Sequence, residues 1–144
     1  MSFSIDVNVL LYAADRGNPR NERALAFLER AAAGPELVAL TWPTVMAFLR
    51  ISTHSGIFGN PLTPAEAESD VEALLRLPHV RLLSEEEGFW EVYRQVTKGL
   101  IVRGNLVPDA HLAALLRQHG VSTLYSNDSD FRKFDFLRLR NPFE

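Results

Sequence analysis

The sequence predicts an α/β fold built around a mainly parallel sheet. Short segments rich in Val, Ile, Leu and Phe alternate along the 144 residues with helical segments of ten or more residues. Such alternation calls for parallel strands joined by right-handed helical crossovers. Four of these apolar segments and a short fifth one near the C-terminal end predict a sheet of four to five strands.

The N-terminal third is predicted to form two strands and the helix between them. Phe3–Leu11 shows little alternation of polar and apolar residues, as expected of a strand buried on both faces. Asn18 or Asn21 could cap the helix that follows, because asparagine side chains accept hydrogen bonds from the free N–H groups at a helix start. Gly34, which is followed by proline, ends this helix, and Glu36–Thr41 is the second strand.

Two helices and a third strand are predicted in the middle of the chain. Pro43 suits the first turn of a helix capped by Thr41 or Trp42. Thr63 and Glu66 form a capping box, in which each residue satisfies a backbone N–H group of the other. Pro78 stops that second helix, and a third strand is predicted directly after it, at Val80–Leu83.

The C-terminal half is predicted to hold two more helices. Ser84 and Glu87 match a second capping box, Pro108 suits the first turn of the following helix, and Gly120 closes that helix. The remaining predicted elements are a strand at Ser122–Ser126, a short helix or turn at Asp130–Phe134 and a short strand at Leu137–Arg140.

Composition narrows the class of protein. The length of 144 residues fits one domain, 1–144, with room for a hydrophobic core. The absence of cysteine excludes disulfides, thiolate zinc sites and a cysteine nucleophile, and it fits a reducing cytoplasm. No apolar run approaches the length of about 20 residues that a membrane-spanning helix needs. The net charge of −3 argues against a domain that holds nucleic acid by bulk electrostatics alone.

Four aspartates mark the candidate functional site. Asp6, Asp109, Asp128 and Asp130 each lie where an apolar segment meets a helix start. In parallel sheets ligands bind beyond the carboxyl ends of the strands, and all four aspartates are predicted to face that edge. A buried carboxylate without a partner is costly, so converging carboxylates favour a shared cation. The sequence therefore predicts an oxygen-lined site for Mg²⁺ or Mn²⁺, and with it phosphodiester chemistry.

Three segments of the chain resemble the PIN-domain ribonucleases, and most closely the VapC-type toxins of bacterial toxin–antitoxin pairs. These segments are IDVNVLLYA near the N-terminus, NLVPDAHLAAL in the third quarter and LYSNDSDF before the C-terminal end. The middle stretch TWPTVMAFLRISTHSGIFGNPLTPAEA is similar to one VapC subgroup, so the resemblance covers nearly the whole chain. It implies a three-layer α/β/α domain and a metal-dependent endoribonuclease. An RNA substrate, an inhibitory antitoxin partner and a homodimer are implied as well.

The resemblance also assigns roles by position. Asp6 matches the first carboxylate of the family pattern, Asp109 the third and Asp128 the fourth, with Asp130 beside it as a further metal ligand. A polar residue two places after the first aspartate and a Ser or Thr ahead of the fourth are also part of the pattern. The matching residues are Asn8 and Ser126, which are expected to orient the carboxylates.

One departure from the family pattern weakens the predicted site. Many PIN domains carry a glutamate in the helix after the second strand, where this chain has Ala47, and no carboxylate occurs from Leu37 to Ala65. Fewer anionic ligands should bind a divalent ion more weakly, although Asp130 could take up part of the missing role. Arg50 on the same helix is a candidate contact for RNA phosphate or for the antitoxin.

The sequence is also compatible with two alternative functions. A catalytically weak PIN-like domain that binds RNA or a partner is suggested by the missing carboxylate near Ala47. A phosphatase of the haloacid-dehalogenase type is suggested by the order Asp6-Val7-Asn8-Val9, but that chemistry needs a second aspartate as general acid. Asn8 stands in that place, and its amide cannot donate a proton in that role.

Overall fold

The computed structural model describes residues 1–144 and contains a five-stranded sheet. The strands are β1 (Ser2–Ile5), β2 (Leu37–Thr41), β3 (Val80–Leu83), β4 (Thr123–Tyr125) and β5 (Arg138–Arg140). Their order across the sheet is β3-β2-β1-β4-β5, and every neighbouring pair is parallel. The predicted parallel sheet of four to five strands is therefore confirmed.

Helices cover both faces of the sheet. They are α1 (Val7–Ala14), α2 (Asn21–Ala33), α3 (Trp42–Ser52), α4 (Pro64–Leu75), α5 (Phe89–Val96) and α6 (Leu106–Gln118), with a 3-10 turn at Ser129–Lys133. One buried cluster joins β1 and β2 to α1 through α4, and a second cluster joins the opposite face to α5, α6 and the 3-10 turn. This arrangement confirms the three-layer α/β/α fold. None of the helices has both the length and the apolar character that crossing a bilayer requires.

The strand order creates a switch point at the centre of the sheet. From β1 the chain passes to β2 and β3 on one side, whereas β4 and β5 lie on the other side. The crossover that follows β1 and the crossover that follows β4 therefore run in opposite directions across the sheet. A crevice opens between these two strands, beyond their carboxyl ends. Because Ile5 lies opposite Tyr125, the residues that follow β1 and β4 enter the same crevice.

Helix α6 anchors this crevice in the hydrophobic core. Six of its residues are buried: Ala110, Leu112, Ala113, Ala114, Leu115 and Leu116. Leu115 and Leu116 are fully buried, and burial of each such side chain contributes about 1.5–3 kcal/mol. This packing places the first turn of α6 at the carboxyl edge of the sheet.

The first strand is shorter than predicted. The sequence predicts a strand over Phe3–Leu11, but β1 ends at Ile5 and α1 begins at Val7. A short apolar run can form either a buried strand or a buried helix, and periodicity does not separate the two. Asp6 makes the difference, because its carboxylate accepts a hydrogen bond from the Val7 N–H group and caps the helix.

Three predicted helix starts also differ from the structure. Neither predicted asparagine caps α2: Asn18 accepts from the Arg20 N–H group, and Asn21 donates its amide to the carbonyls that end α1. The second predicted capping box is absent, since α5 begins after Gly88, whose φ of 82° favours glycine. Helix α6 begins two residues before Pro108. The Thr63 and Glu66 capping box is confirmed, as is the Thr41 cap of α3.

Candidate metal centre

Asp6 stands at the junction between β1 and α1, in the crevice between the two central strands. Its backbone N–H group donates to the carbonyl of Tyr125 at 3.0 Å, which ties the junction to β4. Its carboxylate accepts hydrogen bonds from the Val7 N–H group at 2.8 Å and from the Ser126 hydroxyl at 2.7 Å. Burial raises the pKa of Asp6, the two hydrogen bonds oppose this rise, and the nearby charge of Asp128 adds to it.

Three further carboxylates form an acidic cluster in the same crevice. Asp109 lies in the first turn of α6, whereas Asp128 and Asp130 lie at the start of the 3-10 turn after β4. Each offers a carboxylate oxygen within 4.8 Å of the others. The Asp130 N–H group donates to the Asp128 carboxylate at 2.9 Å, which fixes the spacing of that pair. Asp6 lies beside this cluster, outside the 4.8 Å group.

The charge of the cluster is not balanced by the residues around it. The pKa of Asp109 is raised to about 7 by burial and then by the negative charges of Asp128, Asp6 and Asp130, with a smaller opposing effect from Lys133. The Lys133 ammonium lies 3.7 Å from the Asp130 carboxylate. No protein group donates a hydrogen bond to the Asp109 carboxylate, in contrast to Asp6. A carboxylate in this situation favours either a proton or a bound cation.

A buried polar network connects Asp6 to the cluster. Ser126 is fully buried, and its hydroxyl donates to Asp6 while accepting from the Asp128 N–H group at 3.0 Å. The same oxygen lies 3.3 Å from the Asn8 amide nitrogen. Ser126 therefore links the Asp6 carboxylate to the backbone of Asp128. Asn8 contacts Ser126 rather than a carboxylate.

Replacement of Ser126 by alanine tests this link. Asp6 and the Asp128 N–H group would both lose a partner in a buried place, which should lower the free energy of unfolding by about 1–3 kcal/mol. Loss of a residue that orients metal ligands typically lowers metal affinity by about 10- to 100-fold, so we expect Mn²⁺ binding to weaken within that range. Urea unfolding and calorimetric titration with Mn²⁺ measure the two effects.

The matched control for that variant is Ser122→Ala, at the exposed position just before β4. It removes a hydroxyl of the same kind outside the crevice, so neither unfolding nor Mn²⁺ affinity should change. Wild-type Mn²⁺ affinity in the Ser126 variant would mean that the hydroxyl does not organise the site.

Helix α3 contributes no ligand to the acidic cluster. The helix contains no carboxylate, and the acidic cluster includes Asp130 but no residue near Ala47. Arg50 is exposed in the last turn of α3. Because a helix rises 1.5 Å per residue, Arg50 lies about 12 Å along the axis from Trp42, which follows β2 at the carboxyl edge.

Sequence reasoning missed two members of the polar network. The Asn8 amide donates to the Asn127 carbonyl oxygen at 2.6 Å, and the Asn127 amide donates to the Tyr12 hydroxyl at 3.2 Å. Tyr12 lies in an apolar run and Asn127 in a polar turn, where both residue types are common. Nothing in their local sequence context distinguishes them from ordinary core and turn residues.

The donor set of the cluster fits a divalent cation. Three carboxylates from α6 and the 3-10 turn offer oxygen ligands only, which hard divalent ions prefer. One neighbouring ammonium, that of Lys133, offsets only part of their charge. The residues present can therefore hold a hard cation without rearrangement of the sheet, and Asp6 adds negative charge next to it.

Comparison with known proteins identifies related sequences along nearly the whole chain. The family model described as PIN domain matches residues 4–137. The chain is 48% identical to ribonuclease VapC48 of Mycobacterium tuberculosis over 143 residues, which cover 99% of both proteins. It is 33% identical to ribonuclease VapC37 of the same organism over 138 residues, which cover 96% of this chain and 95% of that protein.

Solved structures of other proteins share this fold along nearly the whole chain. VapBC2 from Rickettsia felis, bound to a DNA fragment from its promoter, matches with a TM-score of 0.69 and 18% identity, over 98% of each chain. VapC20 from Mycobacterium tuberculosis, a toxin that cleaves the sarcin-ricin loop, matches with a TM-score of 0.63 and 17% identity, over 90% of this chain and 92% of that one. At these identities the structural matches support the fold alone.

Proposed function

Because the chain belongs to the PIN-domain family, we propose that it is a divalent-metal-dependent endoribonuclease and the toxin component of a type II toxin–antitoxin system. The proposal is supported by the 48% identity to a VapC ribonuclease along 99% of the chain. The single observation that carries it is the convergence of the Asp109, Asp128 and Asp130 carboxylates in the crevice between the central strands. A ribonuclease of this kind hydrolyses RNA phosphodiester bonds.

In this proposal the four aspartates have two roles, binding of the ion and addition of negative charge beside it. Asp109, Asp128 and Asp130 would hold the ion, Mg²⁺ or Mn²⁺, and Asp6 would add negative charge beside it. A bound divalent ion lowers the pKa of a water molecule, orients the scissile phosphate and stabilises charge that develops on it. Asp6, Asp109 and Asp128 are the catalytic residues of the proposal.

Binding of RNA by this chain would depend on local cations, because its net charge is negative. Lys133 lies next to Asp130, and its exposed ammonium is placed to meet a phosphate oxygen that enters the crevice. Arg132 is exposed beside it. Arg50 lies along α3 away from the acidic cluster, which favours a partner contact over a contact with the scissile phosphate.

Two surfaces support the proposed protein partners. An open groove of about 350 Å³ between α1, α2 and α4 is lined mainly by apolar side chains, among them Leu28 and Leu74. A groove of that character suits the apolar face of an antitoxin segment. Trp42 and Met46 are exposed one turn apart on α3, and a homodimer would bury such a pair.

The decisive experiment is RNA cleavage by the purified chain in EDTA, in Mg²⁺ and in Mn²⁺, beside the Asp6→Asn variant. We expect cleavage only with a divalent ion. The variant should lose more than about 100-fold in kcat/KM. Removal of a residue that only hydrogen-bonds a metal ligand already lowers metal affinity or activity by about 10- to 100-fold. The control is Asp135→Asn, at an exposed aspartate outside the acidic cluster.

The alternative outcomes separate the competing functions. Full divalent-dependent cleavage by the Asp6 variant would show that the site assignment is wrong. RNA binding without cleavage, and without Mn²⁺ uptake that depends on Asp6 and Asp128, would favour the catalytically weak binding domain. A phosphorylated Asp6 trapped during hydrolysis of a phosphate ester would favour the phosphatase.

A further inference from the structure

The polar network behind the metal centre continues beyond Ser126 into the body of the protein. From Asp6 it passes through the Ser126 hydroxyl to the Asn8 amide at 3.3 Å, then to the Asn127 carbonyl oxygen at 2.6 Å and the Tyr12 hydroxyl at 3.2 Å. The last two residues contact no carboxylate of the acidic cluster. Their place at the end of the network nevertheless lets them control the residue that bonds Asp6.

We propose that Asn127 and Tyr12 are positioning residues of the metal centre, which act on Asp6 through Asn8 and Ser126. The inference rests on the proposed function, because it concerns the same divalent-ion site. In this arrangement Asn127 holds the Asn8 amide with its nitrogen toward Ser126, and Tyr12 holds Asn127. The Ser126 proton is then left for Asp6, whose carboxylate keeps a fixed orientation.

The unpaired oxygen of Asn8 explains why such a restraint is needed. Asn8 Oδ1 is buried and accepts no hydrogen bond, which costs about 1–3 kcal/mol. A flip of the amide would move Nδ2 into the position without a partner and let Oδ1 accept the proton of Ser126, and Asp6 would then lose its hydrogen bond. The flip is opposed because it would bring the two carbonyl oxygens of Asn8 and Asn127 together at the present contact of 2.6 Å.

Tyr12 can serve as a fixed end of the network because its ring is held on several sides. The Phe143 ring packs edge-on against it at 5.4 Å, and the Arg20 guanidinium lies 5.5 Å from its centre. Asn21 donates its amide to the carbonyl of Tyr12 at 2.8 Å. The hydroxyl is therefore presented to Asn127 from a rigid support rather than from a mobile surface side chain.

The test is calorimetric titration of Mn²⁺ into the wild-type chain, Tyr12→Phe, Asn127→Ala and the double variant. Tyr12→Phe removes one hydroxyl and keeps the ring packing, so it should fold even if Asn127→Ala does not. We expect each single variant to raise the Kd for Mn²⁺ by about 10-fold, the lower end of the range for outer partners of metal ligands. The Kd of the double variant for Mn²⁺ should be no higher than that of the single variant with the higher Kd, because both changes break the same chain of hydrogen bonds.

A kinetic readout separates positioning from general destabilisation. At saturating Mn²⁺ the kcat of each single variant that folds should recover to near the wild-type value with KM for RNA unchanged, and thermal unfolding of Tyr12→Phe in EDTA should match the wild type. Tyr93→Phe is the matched control, since this half-buried tyrosine on α5 stacks on Trp90 away from the network.

The possible results discriminate between this inference and the function on which it rests. Wild-type Mn²⁺ affinity in either single variant, or losses that multiply in the double variant, would overturn the positioning role alone. A wild-type chain that takes up no Mn²⁺ would overturn the proposed function and this inference together.

Discussion

Asp109→Asn is expected to lower RNA cleavage by more than about 100-fold and, in the metal-free protein above pH 7, to raise the free energy of unfolding. The two effects have one cause. Asp109 is a carboxylate with a raised pKa that no protein hydrogen bond compensates and that three other aspartates repel. An asparagine of the same shape removes this repulsion, but it also removes a negative ligand that the divalent ion needs.

The sign of the stability change follows from proton binding. The pKa of Asp109 is about 7 in the folded chain against an ordinary value of 3.8, so the folded state binds the proton more tightly. The free energy of unfolding should therefore rise as the pH falls from about 7 toward 4, and the full cost of the charge is present above pH 7. The difference in the free energy of unfolding between Asp109→Asn and the wild type should be greatest at pH 8 and should decrease toward pH 4.

Urea unfolding in EDTA at pH 8 and pH 5, together with RNA cleavage in Mn²⁺ at pH 8, measures these effects. Asp135→Asn removes an exposed carboxylate outside the cluster and should leave both cleavage and unfolding unchanged. If Asp109→Asn unfolds more easily than the wild type at pH 8, the carboxylate is stabilised by a partner and the cluster does not need a cation.

The parallel sheet and the edge where the acidic cluster lies could be predicted because both depend on patterns that persist along the chain. Alternation of apolar and helical segments predicts the crossovers, and these place the ends of β1 and β4 together. The boundary between β1 and α1 could not be predicted, since both elements are buried and apolar. Only the hydrogen bond from Val7 to the Asp6 carboxylate ends the strand at Ile5.

The residues that form hydrogen bonds behind the site were less predictable than its carboxylates. Carboxylates next to apolar segments can be recognised in the sequence as candidate site residues, because a buried charge is costly unless it has a partner. Asn127 and Tyr12 carry none, because their roles arise from a hydrogen bond between residues 115 positions apart. That contact exists only because β1 and β4 pair in the register that sets Ile5 opposite Tyr125, and register between distant parallel strands is not specified by local sequence.

Mn²⁺ affinity is expected to fall about 50-fold between pH 7 and pH 5 and to be nearly constant above pH 7.5. A carboxylate must be deprotonated to bind a metal ion, so the ion competes with the proton of Asp109. Below the pKa of about 7, each pH unit costs about tenfold in apparent affinity if one proton is displaced. Calorimetric titrations in two buffers with different ionisation enthalpies measure the affinity and the number of protons released.

Asp109→Asn provides the control for this pH dependence, because it removes the group that titrates. Its weaker Mn²⁺ binding should change less with pH over the same range, with the remaining slope due to Asp6, whose pKa burial also raises. Release of about one proton at pH 5.5 and of nearly none at pH 8 would agree with one dominant carboxylate. An affinity that is flat from pH 5.5 to 7.5 in the wild type would contradict the displacement of a proton from Asp109 by the ion.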